Sequence, residues 1–225
     1  MLGTVAAIVA AYLVGSLSFA VIVSRTMGLA DPRSYGSHNP GATNVLRSGN
    51  RRAAVATLVL DALKGYLPVL AVLAWGPVVG LSPDVAAWVG LAAFVGHLWP
   101  VFFGFAGGKG VATAAGVLMA LNPVLGAATL ASWAIVVYFF RYVSLASIVA
   151  AAFAPFYQLL IWGPSLSVLA IALMSLLLVW RHAANIRKLL AGTESRLGQK
   201  AAAPPAAAPG PAHPHARDHA RGAKR

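Results

Sequence analysis

The chain has no cysteine, which excludes disulfides, thiolate metal sites and cysteine nucleophiles and leaves the redox compartment open. Acid is nearly as scarce. Five Asp and Glu stand against seventeen Lys and Arg, and charged residues of both signs make up only 10% of the sequence, well below the roughly 25% of a typical soluble domain. Apolar residues fill the space, at 59% of the chain with a mean hydropathy of +0.76. This is the composition of an integral membrane protein. A basic balance in a soluble chain would suggest nucleic acid. Here the basic residues fall in a few short stretches between long uncharged segments, so they read as orientation signals and anion contacts, and no nucleic-acid partner is expected. No basic residue precedes Arg25, and the first apolar run is long, so the N-terminus resembles a spanning helix better than a cleaved signal peptide.

A helix needs roughly 20 apolar residues to cross the hydrocarbon core. Residues 2–24, 53–75 and 85–103 meet that requirement, and 142–161 and 165–180 make two more, divided by the turn signal Trp162-Gly163-Pro164. Residues 110–140 carry no charge and form either one overlong helix or a hairpin broken at Asn122-Pro123. Charge arbitrates. With the hairpin there are seven spans, and sixteen of the seventeen basic residues fall on one side, which the positive-inside rule makes cytoplasmic, with the N-terminus out and the C-terminus in. The expected fold is therefore all-α, a seven-helix membrane domain over residues 1–198. Residues 199–225 are expected to be a disordered, basic, Ala/Pro-rich cytoplasmic tail. Its histidines lack a preorganised second shell, and no metal site is expected. Span four, at 110–121, is only about 18 Å long, too short for a ~30 Å core, and non-helical backbone at such depth belongs where it lines a polar cavity.

The polar clusters all lie on the expected cytoplasmic side. Residues 31–50 offer glycines, small hydroxyls and amides, with Arg33 and Arg47 near the two ends, and could present backbone N–H groups and a guanidinium to a phosphate. The same residues would also serve an ordinary connector. Gly104, Gly107, Gly108 and Gly110 surround Lys109 just before a short helix, an arrangement in which free amides and the positive end of a helix dipole receive an anion. It is not a Walker A loop, because Gly110 stands where Ser or Thr would hold magnesium and no strand precedes it. His97, near the end of the third span, reads as a hydrogen-bonded structural residue. In the third cluster His182 and Asn185, at i and i+3, share a helix face, Arg187 and Lys188 read as topological flanks, and Glu194 is the one acid available to pair with an arginine. Asp61 and Lys64, one turn apart within the second span, are expected to pair structurally in the bundle interior.

The order G-S-x-N-x-G-A-T-N-x-x-R from Gly36, D-x-x-K-G from Asp61, G-H-x-x-P from Gly96, G-G-K-G-V-A-T from Gly107 and R-H-x-x-N-I from Arg181 with a following Glu resembles the acyl-phosphate-dependent glycerol-3-phosphate acyltransferases of bacterial membranes, the PlsY family. The resemblance covers residues 5–198. It implies an enzyme of the bacterial inner membrane, with its active site facing the cytoplasm. Such an enzyme moves a fatty acyl group from acyl phosphate to the 1-hydroxyl of sn-glycerol 3-phosphate, giving lysophosphatidic acid and phosphate, without a cofactor. Its partners are those two substrates and the membrane lipids; the oligomeric state is not implied.

Carried onto this chain, the resemblance makes Ser37, Arg47, Lys109, His182 and Asn185 the catalytic set. Asn39, Gly41, Thr43 and Asn44 of the first loop, Gly107, Gly108, Gly110 and Thr113 of the second, and Ser147 are the expected substrate contacts. Asp61, Lys64, His97 and Glu194 are expected to be structural. His38 stands where the family usually has Gly, and a left-handed turn there would be less accessible. Acyl phosphate is an activated anhydride, so direct transfer is expected, with either His182 or a donor phosphate oxygen taking the acceptor's proton. The competing class is a carrier for a phosphorylated anion, since broken helices and a glycine loop also suit transporters. Against it, no internal repeat is evident and every motif faces one side.

Overall fold

The computed structural model describes residues 1–198; the tail expectation for 199–225 lies outside them. Every regular element among the described residues is helical. In chain order the α-helices are α1 (Leu2–Gly15), α2 (Phe19–Thr26), α3 (Ala42–Leu46), α4 (Arg51–Trp75), α5 (Val85–Leu98), α6 (Val111–Leu121), α7 (Pro123–Phe140), α8 (Val143–Trp162), α9 (Leu166–Arg181) and α10 (Ala183–Leu190), with short 3₁₀ turns at Gly76–Val79 and Val101–Phe103. Among the described residues, four helices are long and apolar enough to cross a membrane, and up to six if each bent pair counts as one span. Large apolar side chains such as Leu67, Ile135, Phe139, Phe156 and Leu176 face outward, the inverse of a soluble protein and the arrangement a lipid solvent favours.

Alanine, glycine and serine dominate the contacts between helices, because in lipid the driving force is close van der Waals fit rather than burial of large apolar groups. A Cβ on Gly15 would collide with the Ala93 backbone, and one on Gly96 with the Tyr12 carbonyl, which brings α1 and α5 together. Gly65 meets the Thr113 carbonyl and Gly116 the Ala62 carbonyl in the same way, locking the short α6 against α4.

One expected continuous span is broken, and the segment after the last span turns aside. The run 2–24 bends by 42° between α1 and α2. Its Leu17 carbonyl, released by the break, accepts from Lys64 Nζ at 2.7 Å. The last span bends by 56° at His182, between α9 and α10, so the basic segment after it turns aside instead of extending the helix. Between α6 and α7 the chain turns at Asn122, whose side chain accepts from the Val124 N–H while Pro123 starts the new helix.

Candidate active site

Residues 31–50 form a compact loop organised from within by Asn44. Its amide nitrogen donates to the Pro32 carbonyl at 2.6 Å and to the Tyr35 carbonyl at 3.1 Å, and its oxygen accepts from the Ser37 N–H at 3.0 Å and from Arg47 Nη1 at 3.4 Å. The side chain is buried and its hydrogen-bonding capacity is spent. Asn44, expected as a substrate contact, lines the cleft and also positions Ser37 and Arg47. The turn at His38 is left-handed after all, at φ 55°, with Nδ1 bonded to the Arg33 carbonyl at 3.0 Å. Arg33 is held in a local ion pair with Asp31 at 2.7 Å and leaves Arg47 as the exposed guanidinium of the loop.

The glycine loop is packed against α5. A Cβ on Gly107 would strike the His97 and Leu98 carbonyls, one on Gly108 the His97 ring, and one on Gly110, at φ 83°, the Phe94 ring. The Gly108 N–H donates to the His97 carbonyl at 3.2 Å, so it is not among the free amides the sequence suggested for an anion. Gly107, Gly108 and Gly110 therefore answer first to close packing. Thr113, also expected to bind substrate, is fully buried. Its hydroxyl donates to the Asp61 carbonyl at 2.9 Å and lies 3.2 Å from His97 Nδ1. Below it Asp61 and Lys64 pair at 2.8 Å, and His97 Nδ1 lies 3.6 Å from the same carboxylate oxygen. These four residues form a buried polar floor under the loop.

Above that floor the bend at His182 brings the third cluster over Lys109. Lys109 Nζ donates to Asn185 Oδ1, 76 residues away in sequence. The Asn185 amide donates to Glu194 Oε1 at 2.7 Å, and Ser144 Oγ donates to the same oxygen at 2.7 Å. Glu194, read from sequence as an acid available to an arginine, thus orients Asn185. Residues 192–198 cross the start of α8 as a strap, tied by the Leu197 N–H to the Arg141 carbonyl at 2.7 Å and by Arg141 Nη2 to the Leu197 carbonyl at 3.1 Å. Burial pushes the Lys109 ammonium down to about 8. Glu194 pulls it back up, while Arg181, Lys188 and Arg47 push it further down.

His182 is buried at the bend, and its Nδ1 lies 2.8 Å from the Leu178 carbonyl. A carbonyl only accepts, so Nδ1 carries the proton and Nε2 of the neutral ring is an acceptor. Ser147 Oγ donates to the Val143 carbonyl at 2.8 Å and accepts from Trp133 Nε1 at 3.2 Å.

These groups share one cleft of about 1740 Å³. Ser37, Asn39, Gly41, Thr43, Arg47, Lys109, His182 and Asn185 line its polar end, with Gly110 at the start of α6. Leu118, Leu130, Trp133, Ala150, Ala154 and Met174 line the other. From His182 to Met174 is about 12 Å of helix rise. A polar mouth therefore opens into an apolar channel. Arg181 was read from sequence only as the first residue of its motif, without a role. Ser144 and Trp133 were not picked out, because they stand in featureless apolar runs.

The family model described as glycerol-3-phosphate acyltransferase matches residues 5–192. A glycerol-3-phosphate acyltransferase of Paraburkholderia phytofirmans is 61% identical over 201 residues, covering 89% of this chain and 94% of its own. One from Janthinobacterium is 59% identical over 199 residues, covering 88% and 99%. The crystal structure of PlsY (YgiH), an integral membrane glycerol 3-phosphate acyltransferase, in its glycerol 3-phosphate form superposes with a TM-score of 0.80 at 38% identity, covering 87% of this chain and 96% of that one. Its lysophosphatidic acid form gives 0.79 at the same identity. A match over most of the chain, relatives near 60% identity and a shared fold lead to one conclusion: the chain belongs to the glycerol-3-phosphate acyltransferase family.

Proposed function

We propose that the chain transfers a fatty acyl group from acyl phosphate to the 1-hydroxyl of sn-glycerol 3-phosphate, producing lysophosphatidic acid and phosphate at the cytoplasmic face of a bacterial inner membrane. The observation that carries this reading is the cleft itself: Ser37, Arg47, Lys109, His182 and Asn185 converge at a polar mouth continuous with an apolar channel between α6, α7, α8 and α9. Both substrates bring phosphate to the mouth, and the donor brings an alkyl chain for the channel. The solved relative's glycerol 3-phosphate and lysophosphatidic acid forms support the acceptor and the product.

The donor is a mixed anhydride, so a single displacement suffices. The acceptor oxygen attacks the acyl carbonyl, the bond from that carbon to the phosphate oxygen breaks, and phosphate leaves. Lys109 and Arg47 meet the charge growing on the leaving group and hold the acceptor's phosphate nearby. His182 Nε2 accepts a hydrogen bond from the attacking hydroxyl and aims it. A buried imidazole beside the Lys109 ammonium is a poor place for a second positive charge. The hydroxyl proton therefore ends on the departing phosphate, which balances the reaction without an enzyme-bound intermediate.

Topologically, the six candidate spans and the short apolar α6 make seven crossings, with the N-terminus out, the C-terminus in and residues 1–198 as the catalytic membrane domain. The concentration of basic residues in the loops that the resulting parity puts on one side supports that orientation. The deciding assay supplies purified protein with palmitoyl phosphate and labelled glycerol 3-phosphate. Label in extractable lipid, with equimolar phosphate release, is expected. Vesicle uptake of label without lipid formation would make the chain a carrier instead.

A further inference from the structure

Arg181 has no role in the chemistry above, yet its guanidinium makes two of the best-defined contacts to the glycine loop. Nη2 donates to the Gly107 carbonyl at 2.8 Å and Nε donates to the Gly108 carbonyl at 3.1 Å. Two successive carbonyls on one guanidinium edge is a fork that a point charge cannot reproduce. We infer that Arg181 is the positioning residue of the active-site lysine, fixing through the Gly107 and Gly108 carbonyls the backbone from which Lys109 projects. The inference rests on the reading of Lys109 as the phosphate-facing charge.

The argument runs through peptide geometry. A trans peptide unit is a rigid plane with its carbonyl and the following N–H pointing in opposite directions, and no peptide bond among the described residues is cis. Holding the Gly107 carbonyl against Arg181 sends the Gly108 N–H the other way, where the His97 carbonyl receives it at 3.2 Å. Holding the Gly108 carbonyl fixes the next plane, and with it the N–H and Cα of Lys109. The glycines leave this backbone without side chains to wedge it, so the loop depends on an external clamp.

The clamp comes from the bend that also grips the far end of the same side chain. Arg181 holds the root of Lys109, and Asn185, one turn later, accepts from its ammonium. Trp180 packs against Trp99 in a tilted pair, 5.9 Å between ring centroids, which ties this end of α9 to the end of α5 that supports the loop from below. The loop is thus held between the His97 carbonyl on one side and Arg181 on the other. The same cation faces a small polar recess with Ser37, Asn39, Lys109, Asn185 and Lys188, so losing it alters the field at Lys109 as well as its position.

The test uses the full chain with Arg181→Lys and Arg181→Gln. Expression-matched Arg181→Lys keeps the charge and loses the fork. Its kcat/KM for glycerol 3-phosphate is expected to fall by about tenfold to a hundredfold, the scale of an ångström-level misplacement, with its alkaline pH limit unchanged. Arg181→Gln also removes a like charge from the surroundings of Lys109, which are Glu194, Arg181, Lys188, Arg47 and His182. Its alkaline limit should therefore move to higher pH. Hydrogen exchange at residues 106–110 should quicken in both variants while α4 and α8 stay protected. Wild-type kcat/KM in Arg181→Lys would make the residue a topological charge only and overturn the inference. So would unchanged loop exchange, or an Arg181→Gln limit that does not move. A wild-type chain inactive on acyl phosphate would instead refute the donor assignment, and loop exchange would still decide whether Arg181 is the clamp.

Discussion

A charge that meets a leaving phosphate must be present to act, and Lys109 is poised to lose it. Its ammonium is pushed down to about 8, by burial first. The sign follows directly. The lysine is charged below that value and neutral above it, so about nine-tenths of the free enzyme is competent at pH 7 and about one-tenth at pH 9. Glycerol 3-phosphate loses its second proton near pH 6, well clear of that window. Initial-rate kcat/KM for the acceptor, corrected for spontaneous donor hydrolysis, should thus fall roughly tenfold from pH 7 to pH 9. Because kcat/KM reports the free enzyme, and bound phosphate favours the ammonium, the limit in kcat should lie higher. Glu194 is the group that raises the lysine's value, so Glu194→Gln should move the limit to lower pH. Lys109→Met should cost at least about a hundredfold in turnover, the scale of one lost electrostatic contact, and abolish the limit. Lys109→Arg should abolish the limit while staying poor in turnover, because a planar fork replaces a compact ammonium. Near-normal transfer by the Met variant would remove Lys109 from the chemistry, and a flat wild-type profile to pH 10 would refute the lowered value of its ammonium.

Other consequences can be measured separately. The chain has no native cysteine, so single cysteines at Ser82, Ser48 and Ser195 report cleanly: Ser82 should label from outside, and the other two only after the membrane is opened. Asp61 and Lys64 form a buried pair at 2.8 Å. Asp61→Ala alone should destabilise by about 3–5 kcal/mol, and the double Ala variant should melt higher than that single; additive melting losses would show they are not partners. Gly65→Ala should lower the melting temperature, because its Cβ collides with the Thr113 carbonyl across the α4–α6 contact, an overpacking cost of about 1–3 kcal/mol. An unchanged melt would mean that this helix pair is free to separate.

Much of the molecule could be read in the linear chain, because some properties are local. Whether a segment prefers lipid depends on its own side chains, so the apolar runs around α4, α5, α7 and α8 stand out without any tertiary information. The turn at Asn122-Pro123 is likewise encoded by a capping side chain and a missing donor. The five motifs bring forward the residue types proposed to handle phosphate. What sequence could not supply was the direction in which each side chain points. Asn44 and Thr113 sit among phosphate-handling motifs, yet one is consumed by its own loop and the other faces the Asp61 floor. That choice depends on which buried backbone groups need a partner once helices have packed, a global accounting. The bends at residues 16–18 and at His182 are also tertiary outcomes. The first leaves a carbonyl that the Lys64 ammonium takes. The second swings Arg181 and Asn185 onto the two ends of Lys109, more than 70 residues away. Composition and motif pointed to a membrane protein of the glycerol-3-phosphate acyltransferase family; only packing decided which atoms meet in its cleft, because hydrogen bonds in a low-dielectric interior are made between whatever groups the folded backbone brings within 3 Å or so.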